Sequence, residues 1–266
     1  MPYLSPALNV MIAAARKAGR GLIRDFGELE NLQVSLKGPA DFVSTADQRT
    51  ERILVQELSK ARPGYGFLVE ESGVIEGPDK SHRFIIDPLD GTTNFLHSVP
   101  HFAISIALER EGQIVSAVVY NPVTDDMFTA EKSHGAYLHN RRLRVAARHS
   151  LKQALVATGM PYHGHGDHEK FLGELAPVMA EVAGVRRFGS AALDLAWVAA
   201  GRFDAFWERG LAAWDIAAGL LLVREAGGAV TDLQGGARAL ETGDILAANE
   251  NLHPLLLKLL RAKAHS

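Results

Sequence analysis

The sequence contains no cysteine. Disulfides, thiolate nucleophiles and cysteine-ligated zinc or iron–sulfur centres are therefore excluded, and a reducing compartment fits. Positive charge is also not in surplus: 28 Lys and Arg stand against 31 Asp and Glu, a formal net charge of −3 with a pI of about 6.4. Nucleic-acid binding calls for a basic face or stripe. The nearest approach is Asn140-Arg141-Arg142-Leu143-Arg144 with Arg148 beyond it, which reads as a solvated turn between two elements. No apolar run is long enough to span a bilayer, because the most apolar stretch, residues 211–223, is interrupted by Asp215. The opening Met-Pro-Tyr-Leu-Ser-Pro has neither the basic n-region nor the apolar h-region of a secretory signal, so a cytoplasmic protein is expected. No serine sits in a G-x-S-x-G elbow, which removes support for covalent serine hydrolysis. What remains is a chain of 266 residues, 47% hydrophobic and 22% charged, able to bury a substantial core as one large domain or two packed ones.

Apolar periodicity orders the chain in two halves. Leu8, Met11, Ile12, Ala15, Ala18 and Ile23 predict a helix over 5–26. A second helix is predicted from Ser44 to Lys60, opened by the capping-box pattern Ser44-Thr45-Ala46-Asp47 and closed by Pro63-Gly64. Short strand-like runs follow at 66–69 and 84–86, then a hairpin of 102–108 and 114–120 across Glu111-Gly112, continued by 127–129 and 136–138. Beyond about residue 145 the pattern alternates. Strands are expected at 155–158, 203–207, 229–232 and 245–248, and helices at 168–183, 190–200, 212–226 and 253–263. Antiparallel first and alternating second implies two layered subdomains with a boundary near 143–150.

Four acidic clusters interrupt apolar elements: Asp47 beside Thr45, Glu70-Glu71 after Val69, Asp87 and Asp90 after Ile86, and Asp215 after Trp214. Any one of these carboxylates can simply cap a loop or helix. Asp87-Pro88-Leu89-Asp90-Gly91-Thr92-Thr93-Asn94-Phe95 says more. Pro88 predicts a turn that lets two carboxylates converge, and Gly91 lets backbone pass close to a ligand. Thr92-Thr93 begins a helix or tight turn whose free N–H groups suit an anion. Metal-binding carboxylates beside a phosphate-binding backbone are what metal-assisted phosphoryl transfer requires.

That nine-residue segment resembles the first signature of the inositol monophosphatase family, and Trp214-Asp215-Ile216-Ala217-Ala218-Gly219 resembles the second. The resemblance runs over nearly the whole chain, through Asp41-Phe-Val-Ser-Thr-Ala-Asp47, Val69-Glu-Glu-Ser72, Gly189-Ser-Ala191 and Glu225-Ala-Gly-Gly228. It implies a layered αβαβα sandwich, α+β and α/β in its two parts, of the inositol monophosphatase and fructose-1,6-bisphosphatase type. Residues 1–145 would form an N-terminal subdomain with an antiparallel sheet and most metal ligands. Residues 146–266 would form a C-terminal subdomain supplying Asp215 and the substrate-reading residues. By the same resemblance Glu70, Asp87 and the carbonyl of Leu89 hold a first Mg²⁺, Asp87, Asp90 and Asp215 a second, and Glu70 with water a weaker third. Glu71 supports this shell. Thr92, paired with Asp47, orients the attacking water, and the N–H groups of Gly91 and Thr92 bind phosphate. Glu208 and the segment Gly189, Ser190, Ala191 contact the alcohol. The family further implies Li⁺ sensitivity, a homodimer, and a small phosphorylated polyol as substrate, myo-inositol monophosphate first. Relatives with nearly the same metal site hydrolyse histidinol phosphate, fructose-1,6-bisphosphate or 3′-phosphoadenylate nucleotides. Some bacterial relatives serve as regulatory, transcription- or RNA-associated binding proteins.

Electrostatics points the same way. Two carboxylates about 4 Å apart at an effective dielectric near 20 repel by roughly 4 kcal/mol, so gathering Glu70, Glu71, Asp87, Asp90 and Asp215 requires cations or protonation. An all-oxygen set with room for water favours Mg²⁺, then Mn²⁺, over zinc. Two roles stay open at this point. Asp47 is either a reciprocal cap partner or a catalytic group, and one side chain can serve both. Glu208 either reads a polyol or pairs on the surface with Arg209. The loop carrying His163, His165 and His168 lacks a structural zinc spacing and reads as exposed. His97 and His101 are placed at the pocket mouth or in structural positions, and Trp197, Phe203, Phe206, Trp207 and Trp214 mainly in the core.

Overall fold

The computed structural model describes residues 5–29, 34–38 and 41–261. Ser5 caps α1 (Pro6–Phe26) by accepting from the Leu8 N–H, with Pro6 in the first turn where a missing N–H costs nothing. A hairpin of β1 (Val34–Gly38) and β2 (Asp41–Ser44) leads into α2 (Thr45–Ala61). Next come β3 (Tyr65–Val69), β4 (Gly73–Ile75), β5 (Asp79–Asp90) and the short α3 (Thr92–Leu96). The meander continues with β6 (Ala103–Arg110), β7 (Gln113–Asn121), β8 (Asp126–Glu131), β9 (Gly135–Leu138) and β10 (Arg141–Arg142). After it follow β11 (Leu155–Thr158), α4 (His168–Glu181), β12 (Gly184–Arg186), α5 (Ala191–Ala199) and β13 (Ala205–Glu208). The chain closes with α6 (Ala213–Glu225), β14 (Gly228–Thr231), α7 (Ala239–Thr242), β15 (Ile245–Asn249) and α8 (His253–Arg261). Residues 262–263, the expected end of the last helix, lie outside the described residues.

Strand alternation sets five layers. The larger sheet runs β10-β9-β8-β7-β6-β5-β3-β4, antiparallel except for the β3–β5 pair. Phe84 and Ile86 of β5 point to one face, where Leu8, Met11 and Leu22 of α1 and Leu54 and Leu58 of α2 cover them. Ile85 points to the other, packing with the buried faces of α5 and α6. Those two helices also cover Phe206, Ile245 and Ala247 of the smaller sheet, ordered β12-β11-β13-β15-β14. Its opposite face, carrying Val156, Trp207 and Leu246, packs on α4 and α8 through Val178, Leu256 and Leu260. Because α5 and α6 are apolar nearly all round, they sit between two sheets. The result is an αβαβα sandwich.

One expectation is corrected. Pro88 does not turn the chain: β5 runs through it to Asp90, and its pairing with β6 steps from Asp87↔Ser105 to Asp90↔Ala103. Three residues on β5 thus span two on β6, a bulge, which is where a sheet tolerates proline.

The buried helix pair yields a stability prediction. A Cβ on Gly219 of α6 would come within 2.5 Å of Leu195 Cβ and Cδ1 on α5. Gly219→Ala should cost about 1–3 kcal/mol by overpacking, at roughly 2–4 °C of melting temperature per kcal/mol for a chain of this size. Gly173→Ala on α4, whose Cβ would meet nothing within 4 Å, should be neutral or stabilising. A thermal melt in which both behave alike would sink the packing argument.

Candidate active site

Loop and helix starts gather where the two sheets meet across α5 and α6. A cavity of about 300 Å³ opens there, walled by Glu70, Asp90, Thr92, Asp194, Glu208 and Asp215. Glu70 directly follows β3, and its N–H reaches the Ile86 carbonyl at 3.3 Å. Asp87, 2% exposed, lies behind the wall, with Oδ1 accepting the Leu89 N–H at 2.9 Å. The bulge turns Asp90 toward α5, where its Oδ2 accepts from Ser190 Oγ (2.6 Å) and Ala192 N–H (2.7 Å). Asp215 takes the third position of α6 and caps it, accepting the Ala212 N–H at 2.7 Å. The bonds to Asp87, Asp90 and Asp215 each orient one carboxylate oxygen.

Their charge is poorly accommodated. Burial pushes Asp87 well above the usual carboxylate range, and the charges of Glu70, Asp90 and Asp215 push it further. Burial lifts Asp215 likewise, with Asp90 next in effect. Asp90 is pushed up to about 6 by burial, partly offset by its bonds to Ser190 and Ala192. Among the described residues, no three acidic or histidine side chains form a preformed metal cage. The carboxylates nonetheless share one region, close enough for their charges to act on one another. An all-oxygen, mutually repelling donor set of this kind fits a hard divalent cation.

Asp47 caps α2 and also reaches Thr92. It is fully buried. Its Oδ2 accepts from Ser44 N–H at 2.9 Å and from Ser44 Oγ, completing the capping box of α2. Its Oδ1 accepts from Thr92 Oγ1 at 3.0 Å, and that hydroxyl also lies 3.0 Å from the Leu89 carbonyl. Burial raises the Asp47 pKa, and its bonds to Ser44 oppose the rise. Gly91, at φ 94°, takes the left-handed conformation and caps α3, where a Cβ would come within 3.1 Å of the His101 carbonyl. The Asn94 amide then ties α3 to the second half, donating to the carbonyls of His101 (2.8 Å) and Phe188 (2.7 Å). This places Gly189, Ser190 and Ala191 along the cavity.

Glu208 ends β13 with its carboxylate laid against Gly159, where any Cβ would collide with it. The surface pair with Arg209 is absent: that guanidinium binds Glu174 and Asp244 instead. Burial, then the charge of Asp90, pushes the Glu208 carboxyl up to about 8, against the opposing pull of Arg187. Glu71 sits beside the site, its N–H donating to Glu51 of α2 at 2.9 Å.

Three contributors escaped the sequence reading. Glu51 pins the 70–72 turn through the Glu71 N–H and the Ser72 hydroxyl; its signal was a charge on the buried stripe of α2. Asp194, 1% exposed, was signalled by a charge in an otherwise apolar helix, as Asp215 was. Arg187 lines the cavity and left no clear sequence signal. His97 is exposed. His101 packs between Phe188 and Trp197, and burial holds it down to about 4. His163, His165 and His168 are exposed. Phe203, Phe206 and Trp207 are core, while Trp197 and Trp214 pack partly buried against it. Arg141 and Arg142 form the exposed edge strand β10, and Arg148 pairs with Asp204 at 3.0 Å.

A profile of the inositol monophosphatase family matches residues 3–265. The chain is 62% identical to inositol-1-monophosphatase of Rhizobium meliloti over 97% of each chain. It is 45% identical to Nus factor SuhB of Pseudomonas aeruginosa, again over 97% of each. The solved extragenic suppressor protein suhB of Bartonella henselae superimposes with a TM-score of 0.95 at 58% identity, over 97% of this chain and 100% of that one. An IMPase of Thermotoga maritima gives 0.87 at 32% identity, over 96% of each.

Proposed function

The chain belongs to the inositol monophosphatase family, a family of phosphoric monoester hydrolases, and from that premise we propose that it hydrolyses myo-inositol monophosphate with Mg²⁺. One arrangement carries the metal dependence: Asp87, Asp90 and Asp215 are gathered with Glu70 in one buried region, where burial first and the charge of Glu70 in each case disfavour their ionised forms. Held by Glu70, Asp87, Asp90, Asp215 and the Leu89 carbonyl, Mg²⁺ would neutralise this charge and supply the Lewis acidity that acidifies water and steadies a leaving alkoxide. The protein's own groups do the positioning. Thr92 Oγ1, anchored on Asp47, takes the proton of the attacking water as it passes its own to the carboxylate. The N–H groups of Gly91 and Thr92, at the start of α3, receive the phosphate. Ser190 and Ala192 hold Asp90 in place, and Glu208 accepts hydrogen bonds from the ring hydroxyls of the alcohol.

Phosphate release from inositol 1-phosphate, histidinol phosphate, fructose-1,6-bisphosphate and 3′-phosphoadenylate, with Mg²⁺ and then EDTA, tests this. Inositol 1-phosphate should be turned over fastest, EDTA should abolish release, and millimolar Li⁺ should inhibit. Release that survives EDTA removes the metal mechanism; a faster alternative ester moves the substrate. Glu208→Gln adds a residue-level check. Above pH 8, where the Glu208 carboxyl is ionised, hydrogen bonds to a charged acceptor contribute about 1.5–3 kcal/mol each, so kcat/KM for inositol 1-phosphate should there fall by roughly ten- to a hundredfold. An aryl phosphate without those hydroxyls should lose far less. Equal losses would show that Glu208 does not read the polyol.

A transcription-associated role alongside catalysis draws on the relatives named Nus factor SuhB, 42–45% identical. A full set of acidic residues at the cavity favours retained hydrolysis in either case.

A further inference from the structure

Two carboxylates reach the site from one buried stripe of α2. Asp47 and Glu51 stand one helical turn apart, about 6 Å along the axis, on the face that also carries Leu54 and Leu58. Another leucine would suit that stripe better, since a buried carboxylate is costly unless its hydrogen bonds are made. Asp47 makes one of its bonds across to Thr92 Oγ1, at 3.0 Å. Glu51, 5% exposed, spends both oxygens on the turn that carries Glu70. Its Oε2 accepts the Glu71 N–H at 2.9 Å, and its Oε1 accepts the Ser72 hydroxyl.

The turn that Glu51 grips is weakly secured by the sheet. Residues 70–72 join β3 to β4, and the strand pairing closes on them at Val69↔Gly73. β4 is only three residues long and forms the sheet edge, so it is tied from one side. The Glu70 N–H reaches the Ile86 carbonyl at 3.3 Å, past the usual length of an amide bond to a carbonyl. Glu51 supplies two bonds from a helix whose own packing is deep in the core. A mobile turn there would let the Glu70 carboxylate leave the cavity wall that it helps to form.

We propose that Glu51 is a positioning residue for cation binding: by holding the Glu71 N–H and the Ser72 hydroxyl, it fixes Glu70 where an ion can use it. Through Asp47 the same helix fixes Thr92. α2 thus sets the spacing between the hydroxyl that orients the attacking water and a carboxylate that holds the metal. The inference rests on the metal-dependent phosphatase reading above. Removing a group that orients a metal ligand typically weakens metal binding by about ten- to a hundredfold.

Calorimetric titration of the full chain with Mg²⁺ tests this without reference to turnover. Glu51→Ala should weaken binding about tenfold. Glu51→Gln should stay within about twofold, because its amide oxygen accepts the Glu71 N–H while its NH₂ donates to the Ser72 hydroxyl. Ser72→Ala lies on the exposed turn, removes one of the two anchors and stands in if Glu51→Ala folds poorly. It should weaken binding about threefold, half of the larger effect on a logarithmic scale. Phosphate release adds a second readout. In Glu51→Ala the Mg²⁺ concentration for half-maximal release should rise about tenfold, with kcat at saturating Mg²⁺ within about threefold of wild type. A purely structural role for Glu51 predicts the reverse, a lower melting temperature and a lower kcat at every Mg²⁺ concentration with affinity unchanged. Unchanged Mg²⁺ affinity in Glu51→Ala and Ser72→Ala therefore overturns the proposal. So does a Glu51→Gln variant that loses as much as Glu51→Ala, since charge and not position would then be at work. A wild type that binds no Mg²⁺ sinks the metal reading itself, a failure distinguished by its appearing before any substitution is made.

Discussion

Asp87→Asn should raise the melting temperature of the EDTA-treated protein while removing nearly all phosphate release. The two effects have one cause. Asp87 is buried among Glu70, Asp90 and Asp215, so in the metal-free protein its charge is a liability. The amide keeps an oxygen to accept the Leu89 N–H and deletes the repulsion. A rise on the order of 5 °C in EDTA is expected, a scale set by one to two kcal/mol in a chain of this size. With Mg²⁺ the order reverses. The wild type gains stability by binding the ion, the variant gains far less, and its kcat falls at least tenfold because a neutral oxygen replaces an anionic ligand. A variant that keeps more than a tenth of wild-type kcat, or that melts lower in EDTA, would show that Asp87 is an ordinary structural carboxylate.

The same charges set a pH dependence whose sign can be worked out. Asp87, Asp90 and Asp215 have folded pKa values above their unfolded ones, about 6 in the case of Asp90, and Glu208 is near 8. Between the unfolded values near 4 and these folded ones, the native state binds more protons than the unfolded state. Stability in EDTA should therefore fall as pH rises from about 5.5 to 8. Saturating Mg²⁺ should flatten that slope, because the ligands then stay ionised in the folded state. Melting curves across this range, with and without the ion, measure both slopes.

Much of this was legible in the residues because charge inside an apolar element is a strong signal. Asp87, Asp90 and Asp215 interrupt strand or helix patterns, and the layered fold follows from periodicity switching near residue 145. The failures have physical reasons. Pro88 reads locally as a turn, but the tertiary demand of β6 absorbs it as a bulge. The three-residue strands β4 and β12 and the four-residue α7 are too short to carry a period. Arg187 escaped because nothing in its local pattern sets it apart, and only its place on the cavity wall reveals it. Arg209 next to Glu208 suggested a pair by adjacency, yet Glu208 is the last residue of β13 and Arg209 lies beyond it, with partners 35 residues away on either side.

Thr92→Ala should lower kcat by about a hundredfold, the usual range for a positioned proton-transfer group, and Thr92→Ser should restore most of it. The hydroxyl lies 3.0 Å from Asp47 Oδ1 and 3.0 Å from the Leu89 carbonyl. Asp47 cannot swing away to compensate, since Ser44 holds its other oxygen through both N–H and hydroxyl. The pair is thus fixed from the helix side, and the hydroxyl is the part free to exchange protons with water. Two readouts separate this role from simple loop packing. Mg²⁺ affinity, by calorimetry, should hardly change in Thr92→Ala, because the Leu89 carbonyl stays in place on the bulged strand. Asp47→Asn should behave differently: it lowers kcat and also weakens the cap of α2, costing about 1 kcal/mol of stability. If Thr92→Ala instead loses Mg²⁺ binding along with turnover, the hydroxyl is holding the Leu89 carbonyl in place and the water is positioned by something else.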